Sequence, residues 1–127
     1  MTDCPDDLGY TPDHEWVKPG NDSVVRVGIT AYAADALGDI VYVSLPALGD
    51  RVDAGDAIAE LESTKSVSDV FAPVSGVVCN LNEAAADSPE MINSDPYGSG
   101  WLFEIDMSDT SQLDTLLDAS AYTGQLD

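Results

Sequence analysis

A chain of 127 residues with 44% hydrophobic content can bury one core and reads as a single domain. Its 24 acidic residues against 4 basic ones leave a formal net charge of -20. That balance excludes nucleic-acid binding and attachment to anionic membranes, which both rest on Lys and Arg, and no apolar run is long enough to span a bilayer.

The acidity keeps the chain soluble and steers it toward basic docking faces, or it reflects adaptation to a saline cytoplasm; both readings stay open. The first residues are acidic and lack the basic start and apolar stretch of an export signal, so a cytoplasmic location is expected. Residues 1–9, including Cys4, are expected to form a mobile acidic end, and residues 10–127 a single domain. Cys4 and Cys79 form no Cys-x-x-Cys, and Cys79 reads as a small apolar strand residue.

In chain order, residues 14–18 and 23–29 alternate apolar and polar around the turn cluster Pro19-Gly20-Asn21-Asp22, which predicts a hairpin. Thr30 is placed to cap a helix over 31–37, and Gly38 to end it. Residues 39–45 return to strand character, with Ile40, Tyr42 and Ser44 alternating against Val41, Val43 and Leu45. Further strands are predicted over 57–63, 66–71, 76–81 and 101–106, with a polar excursion over 82–94. A terminal helix is expected near 111–117, capped by Ser108 or Ser111, with Leu113, Leu116 and Leu117 as its stripe. Short strands punctuated by Gly, Pro and Asp, with two short helices, predict an antiparallel all-β domain, sandwich or barrel. Gly28, Pro73, Gly76, Gly98 and Gly100 read as turn geometry, and Trp16 and Trp101 as core aromatics.

Catalytic motifs fail on inspection. His14-Glu15-Trp16-Val17-Lys18 has a lysine where a zinc-protease helix needs its second histidine, and Phe103 stands at the third glycine of a dinucleotide loop begun by Gly98 and Gly100. A single histidine gives little support to a triad, and no acidic loop has the order of a calcium loop. The chain does not read as an enzyme.

The stretch 55–76 is the informative one. Alternation puts Ile58, Glu60 and Glu62 on one side of a strand and Ala57, Ala59, Leu61 and Ser63 on the other, and Thr64-Lys65 is the right length for a two-residue connection. Neither residue is the Asn or Gly that favours such a turn. Lys65 is one of two lysines, and an amine on four methylenes is a natural attachment point for a swinging prosthetic group.

Gly55, the run Glu62-Ser63-Thr64-Lys65-Ser66-Val67-Ser68-Asp69, and Pro73-x-Ser75-Gly76 together resemble the lipoyl-attachment signature of the glycine cleavage H proteins. Further blocks resemble the same family in its order: Tyr10-Thr11-Pro12-Asp13-His14-Glu15-Trp16-Val17, Ala36-Leu37-Gly38-Asp39-Ile40-Val41, and Asn93-Ser94-Asp95-Pro96-Tyr97-Gly98. The resemblance implies a flattened antiparallel barrel, the barrel-sandwich hybrid of lipoyl and biotinyl carriers. It implies lipoate in amide linkage to Lys65, with Ser63, Thr64, Ser66 and Val67 shaping the turn that a lipoate ligase or lipoyl transferase reads. It also implies a carrier of the aminomethyl group of decarboxylated glycine, and a carrier that must visit several enzymes in turn and leave each one is expected to be a monomer. The expected partners are a pyridoxal-phosphate-dependent glycine decarboxylase, a tetrahydrofolate-dependent aminomethyltransferase and dihydrolipoyl dehydrogenase. Glu15 and Asp69, with Asp13 beside them, match the acidic positions associated with holding the loaded arm. Thr64-Lys65-Ser66 departs from the common Val-Lys-Ala, and Ala36 is small where relatives carry a bulkier residue. An H-like lipoate relay or regulatory protein without a part in glycine turnover would share Lys65. A biotinyl carrier would favour Met where Thr64 and Ser66 stand.

Overall fold

The first hairpin forms where alternation places it. The computed structural model describes Pro5, residues 7–20 and residues 23–125; Cys4 and the Asn21-Asp22 part of the expected turn lie outside the described residues. Strands β1 (Gly9–Tyr10), β2 (Glu15–Pro19) and β3 (Val24–Ile29) pair antiparallel in sequence. Leu8 is already buried, so the packed part of the chain begins before residue 10.

Helix α1 (Ala31–Leu37) starts where Thr30 Oγ1 accepts the Ala33 N–H at 3.2 Å and ends at Gly38, whose φ of 82° suits a residue without Cβ. Strands β4 (Ile40–Ser44), β5 (Arg51–Val52), β6 (Ala57–Ser63), β7 (Val67–Phe71) and β8 (Gly76–Leu81) follow. Helices α2 (Glu83–Asp87) and α3 (Glu90–Ser94) fill the polar excursion before β9 (Phe103–Met107). Expected as one terminal helix near 111–117, the C-terminal segment instead divides. Asp109 caps a 3-10 helix, Thr110–Thr115, and helix α4 (Ala119–Gln125) follows, with Asp118 Oδ1 accepting the Ala121 N–H at 2.8 Å. Aspartates rather than serines supply both C-terminal caps, and with α2 and α3 the short helices among the described residues outnumber the two expected.

The strands form a six-stranded sheet in the order β1-β2-β3-β9-β8-β5 and a three-stranded sheet β4-β6-β7. This is the expected barrel-sandwich arrangement, as two sheets without a closed barrel. Val25, Val27, Phe103 and Ile105 from the larger sheet meet Val43, Leu61 and Val70 from the smaller one in a common core. Tyr10, Trp16, Ala119 and Tyr122 make a second cluster that seats α4.

Three sequence readings change. Gly28 and Gly76 are not turn residues but lie inside β3 and β8. Gly28 faces Trp16 across the ladder, and a Cβ there would stand 2.6 Å from the indole ring. Cys79 is exposed rather than packed, because the register of β8 against β9 shifts between Val78 and Asn80. The alternation expected in 39–45 breaks at a bulge between Ile40 and Tyr42, so Ile40 and Val43 are buried while Val41 and Tyr42 both face solvent.

Candidate functional site

Lys65 stands exposed at the β6–β7 tip. The turn closes without Asn or Gly because Ser63 takes over their work. Its Oγ accepts the N–H groups of Lys65 and Ser66, each at 3.1 Å, and donates to the Ser66 carbonyl at 3.1 Å. The Ser63 N–H donates to the same carbonyl at 2.8 Å. Neither Thr64 nor Lys65 then needs a positive φ, and neither has one. Thr64 N–H donates to the Asp39 carbonyl at 3.1 Å, which fastens the tip to the start of β4. The Lys65 stem passes over Gly38, where a Cβ would lie 3.2 Å from its Cε. Among the described residues, no carboxylate pairs with its ammonium.

Beside this tip lies a cleft of about 180 Å³. Tyr32, Ala33, Ala36 and Leu37 of α1 form one wall, Ser68, Asp69 and Val70 of β7 another, and Asp13, His14 and Glu15 lead into β2. Ile29 and Leu61 add apolar lining. The three carboxylates expected at the arm, and Ala36, therefore line one cavity. Asp13 and Asp69 are exposed, whereas Glu15 is 2% exposed.

Burial pushes the Glu15 carboxyl up to about 7; hydrogen bonds from Thr11 and Phe71 oppose this, and Asp13 adds to it. Thr11 Oγ1 donates to Glu15 Oε1 at 2.6 Å, and the Phe71 N–H donates to Oε2 at 3.2 Å. A carboxyl of β2 in the larger sheet thus bonds the backbone of β7 in the smaller one.

Sequence reasoning missed the support behind the cleft. His14 holds φ 73°, its Nδ1 lies 2.7 Å from the Tyr122 hydroxyl, and that hydroxyl lies 2.8 Å from Thr30 Oγ1. One phenol on α4 therefore joins the cap of α1 to the start of β2. Burial holds His14 below the usual imidazole range, with Asp13 opposing. The histidine and the tyrosine are 108 residues apart, and no local pattern announces such a pair. Among the described residues, no group of acidic, His or Cys side chains could hold a metal.

A barrel-sandwich domain that raises a lysine on a rigid tip beside a carboxylate-lined cleft belongs to the class of swinging-arm carriers. Residues 8–127 match the family model described as Glycine cleavage H-protein. The chain is 52% identical over 130 residues to the Glycine cleavage system H protein of Mycobacterium avium (strain 104), covering 99% of this chain and 98% of that one. It is 53% identical over 132 residues to the protein of that name from Mycobacterium tuberculosis (strain ATCC 25177 / H37Ra), with the same coverages. A crystal structure of a glycine cleavage system H protein from Mycobacterium marinum superposes with a TM-score of 0.88 at 48% identity, over 97% of this chain and 98% of that one. The chain belongs to the glycine cleavage H-protein family, and its role is that of the system's lipoyl carrier.

Proposed function

We propose that Lys65 Nζ carries lipoate in amide linkage and that the cleft between α1, β2 and β7 shelters the arm when it is loaded. When bound, lipoate supplies a disulfide that takes up and gives back the one-carbon cargo of glycine breakdown. This chain's residues position, shelter and neutralise. Ser63 fixes the tip with Thr64 and Ser66, while Gly38 leaves room for the lysine stem. Ile29, Leu37, Leu61 and Val70 line the cleft and keep water from a cargo that hydrolyses readily. Glu15, Asp69 and Asp13 face a cargo that carries a protonated amine. A cation beside Glu15 favours its ionised form, so seating the cargo releases a proton from a group that is about half protonated near pH 7.

The reading needs no catalytic group in the chain itself. Glycine decarboxylase, aminomethyltransferase and dihydrolipoyl dehydrogenase would use the arm in turn, after a lipoate ligase or lipoyl transferase has attached it. A monomer suits a carrier that must reach and leave each of them.

The observation that carries this reading is the exposed Lys65 amine on a hydroxyl-braced tip whose flanking elements line the acidic cleft. Incubation with lipoate ligase, ATP and lipoate, followed by intact mass and peptide mapping, should show one lipoyl group on Lys65 and none on Lys65→Arg. A wild-type chain left unmodified by active ligase would overturn it.

A further inference from the structure

Strand β4 gives up its alternation at one point. The bulge between Ile40 and Tyr42 turns two consecutive side chains outward, leaving Val41 54% and Tyr42 57% exposed. A regular ladder would have buried one of them, so the bulge forgoes both a ladder position and buried apolar area. Tyr42 pairs with Glu62 and Glu62 with Val67, which is 56% exposed. Tyr42, Glu62 and Val67 form one row across the outer face of the small sheet, one ladder step below the Ser63–Ser66 closure of the tip, and Val41 adjoins Tyr42 at the bulge. Single exposed apolar residues need no explanation, but three gathered beside a lysine do.

We propose that Val41, Tyr42 and Val67 are the docking face for the enzyme that acylates Lys65, seated in an apolar depression with a basic rim. The proposal rests on the carrier reading above. Its chemistry selects this partner over the other three, which act at the far end of the arm. The acylating enzyme must bring its active site to the lysine nitrogen itself and so must touch the tip. There Nζ attacks the carbonyl carbon of an acyl adenylate, the amide bond forms, the bond to AMP breaks, and one amine proton leaves to solvent. Glu62 stands within the row between Tyr42 and Val67, Glu60 follows on the same face of β6 and exposed Asp39 precedes β4, and these carboxylates call for Lys or Arg at the receiving depression. A second copy of the chain is disfavoured there by repulsion between two bodies of net charge -20. Tyr42 is the expected anchor, since a rigid amphipathic ring loses little conformational freedom when it inserts.

The test compares lipoylation of the full-length wild type, Tyr42→Ser, Val41→Thr/Tyr42→Ser and the control Leu48→Ser, which removes a side chain 62% exposed outside the row. Lipoate ligase is supplied with ATP and lipoate, and circular dichroism establishes that each variant folds. KM for the chain should rise tenfold or more in both Tyr42 variants with kcat nearly unchanged, and Leu48→Ser should match wild type. Val67→Thr keeps the β-branched shape and supplies a smaller rise in KM should either Tyr42 variant fail to fold. Folded Tyr42 variants with wild-type KM overturn the proposal, as does a KM increase seen only with glycine decarboxylase. A wild-type chain never acylated at Lys65 overturns the carrier reading instead.

Discussion

Above the ordinary carboxylate range, Glu15 costs the fold free energy. The shift from 4.5 to about 7 corresponds to about 3 kcal/mol between its two protonation states. Between those values the unfolded chain has released the proton and the folded chain has not, so stability falls as pH rises through the window and levels off above it. Thermal melts from pH 4.5 to 8 should show that decline, and Glu15→Gln should flatten it. On the proposed seating of the cargo, the same variant loses the negative charge that faces its protonated amine. The loaded arm should therefore lose its cargo to water several-fold faster in Glu15→Gln, and an unchanged lifetime would remove Glu15 from the arm's contacts. Ser63 is another residue whose side chain bonds backbone groups. Ser63→Ala leaves the Lys65 and Ser66 N–H groups without their acceptor and should cost about 1 kcal/mol. Hydrogen exchange at the tip amides should rise accordingly.

Among the elements, the close pair of β2 and β3 leaves no room for a side chain at Gly28. Gly28→Ala would drive a methyl group into the Trp16 ring and should cost about 1–3 kcal/mol, read from the urea midpoint. Helix α4 acts at a distance: Tyr122→Phe deletes the hydroxyl shared by His14 and Thr30, and should shift the titration of His14 measured by NMR. The β6–β7 hairpin and the caps of α1 were legible because each is written within a few neighbouring residues. Thr30 and Gly38 bracket seven residues, and the alternation through Ala59, Leu61 and Ser63 marks the buried face. The outward turn of Val41 was not legible, since a bulge exists only relative to the strand it pairs with. The division of the C-terminal segment was hidden because serines and aspartates alternate there as possible caps. The three acidic positions came from the family pattern, whereas the burial that distinguishes Glu15 from Asp13 and Asp69 emerges only when two sheets close on it.

For the whole molecule, charge is the dominant remaining term. With 24 acidic residues, the folded surface repels itself, and raising salt from 0.01 M to 1 M shortens the screening length from about 30 Å to about 3 Å. Melting temperature should climb by several degrees over that range, and the apparent affinity for basic partners should fall. A flat melting temperature would mean that the carboxylates are already spaced beyond mutual influence.

The bond from the Phe71 amide to Glu15 crosses the seam between the two sheets. Its hydrogen-bond strength follows the charge on that carboxyl, and so follows whatever cation lies alongside. Phe71 is therefore a built-in spectroscopic tag: its proton resonance should move downfield as the carboxyl ionises. On the proposed seating of the cargo beside Glu15, one isotope-labelled amide would report, without a substrate assay, whether the carrier is travelling full or empty.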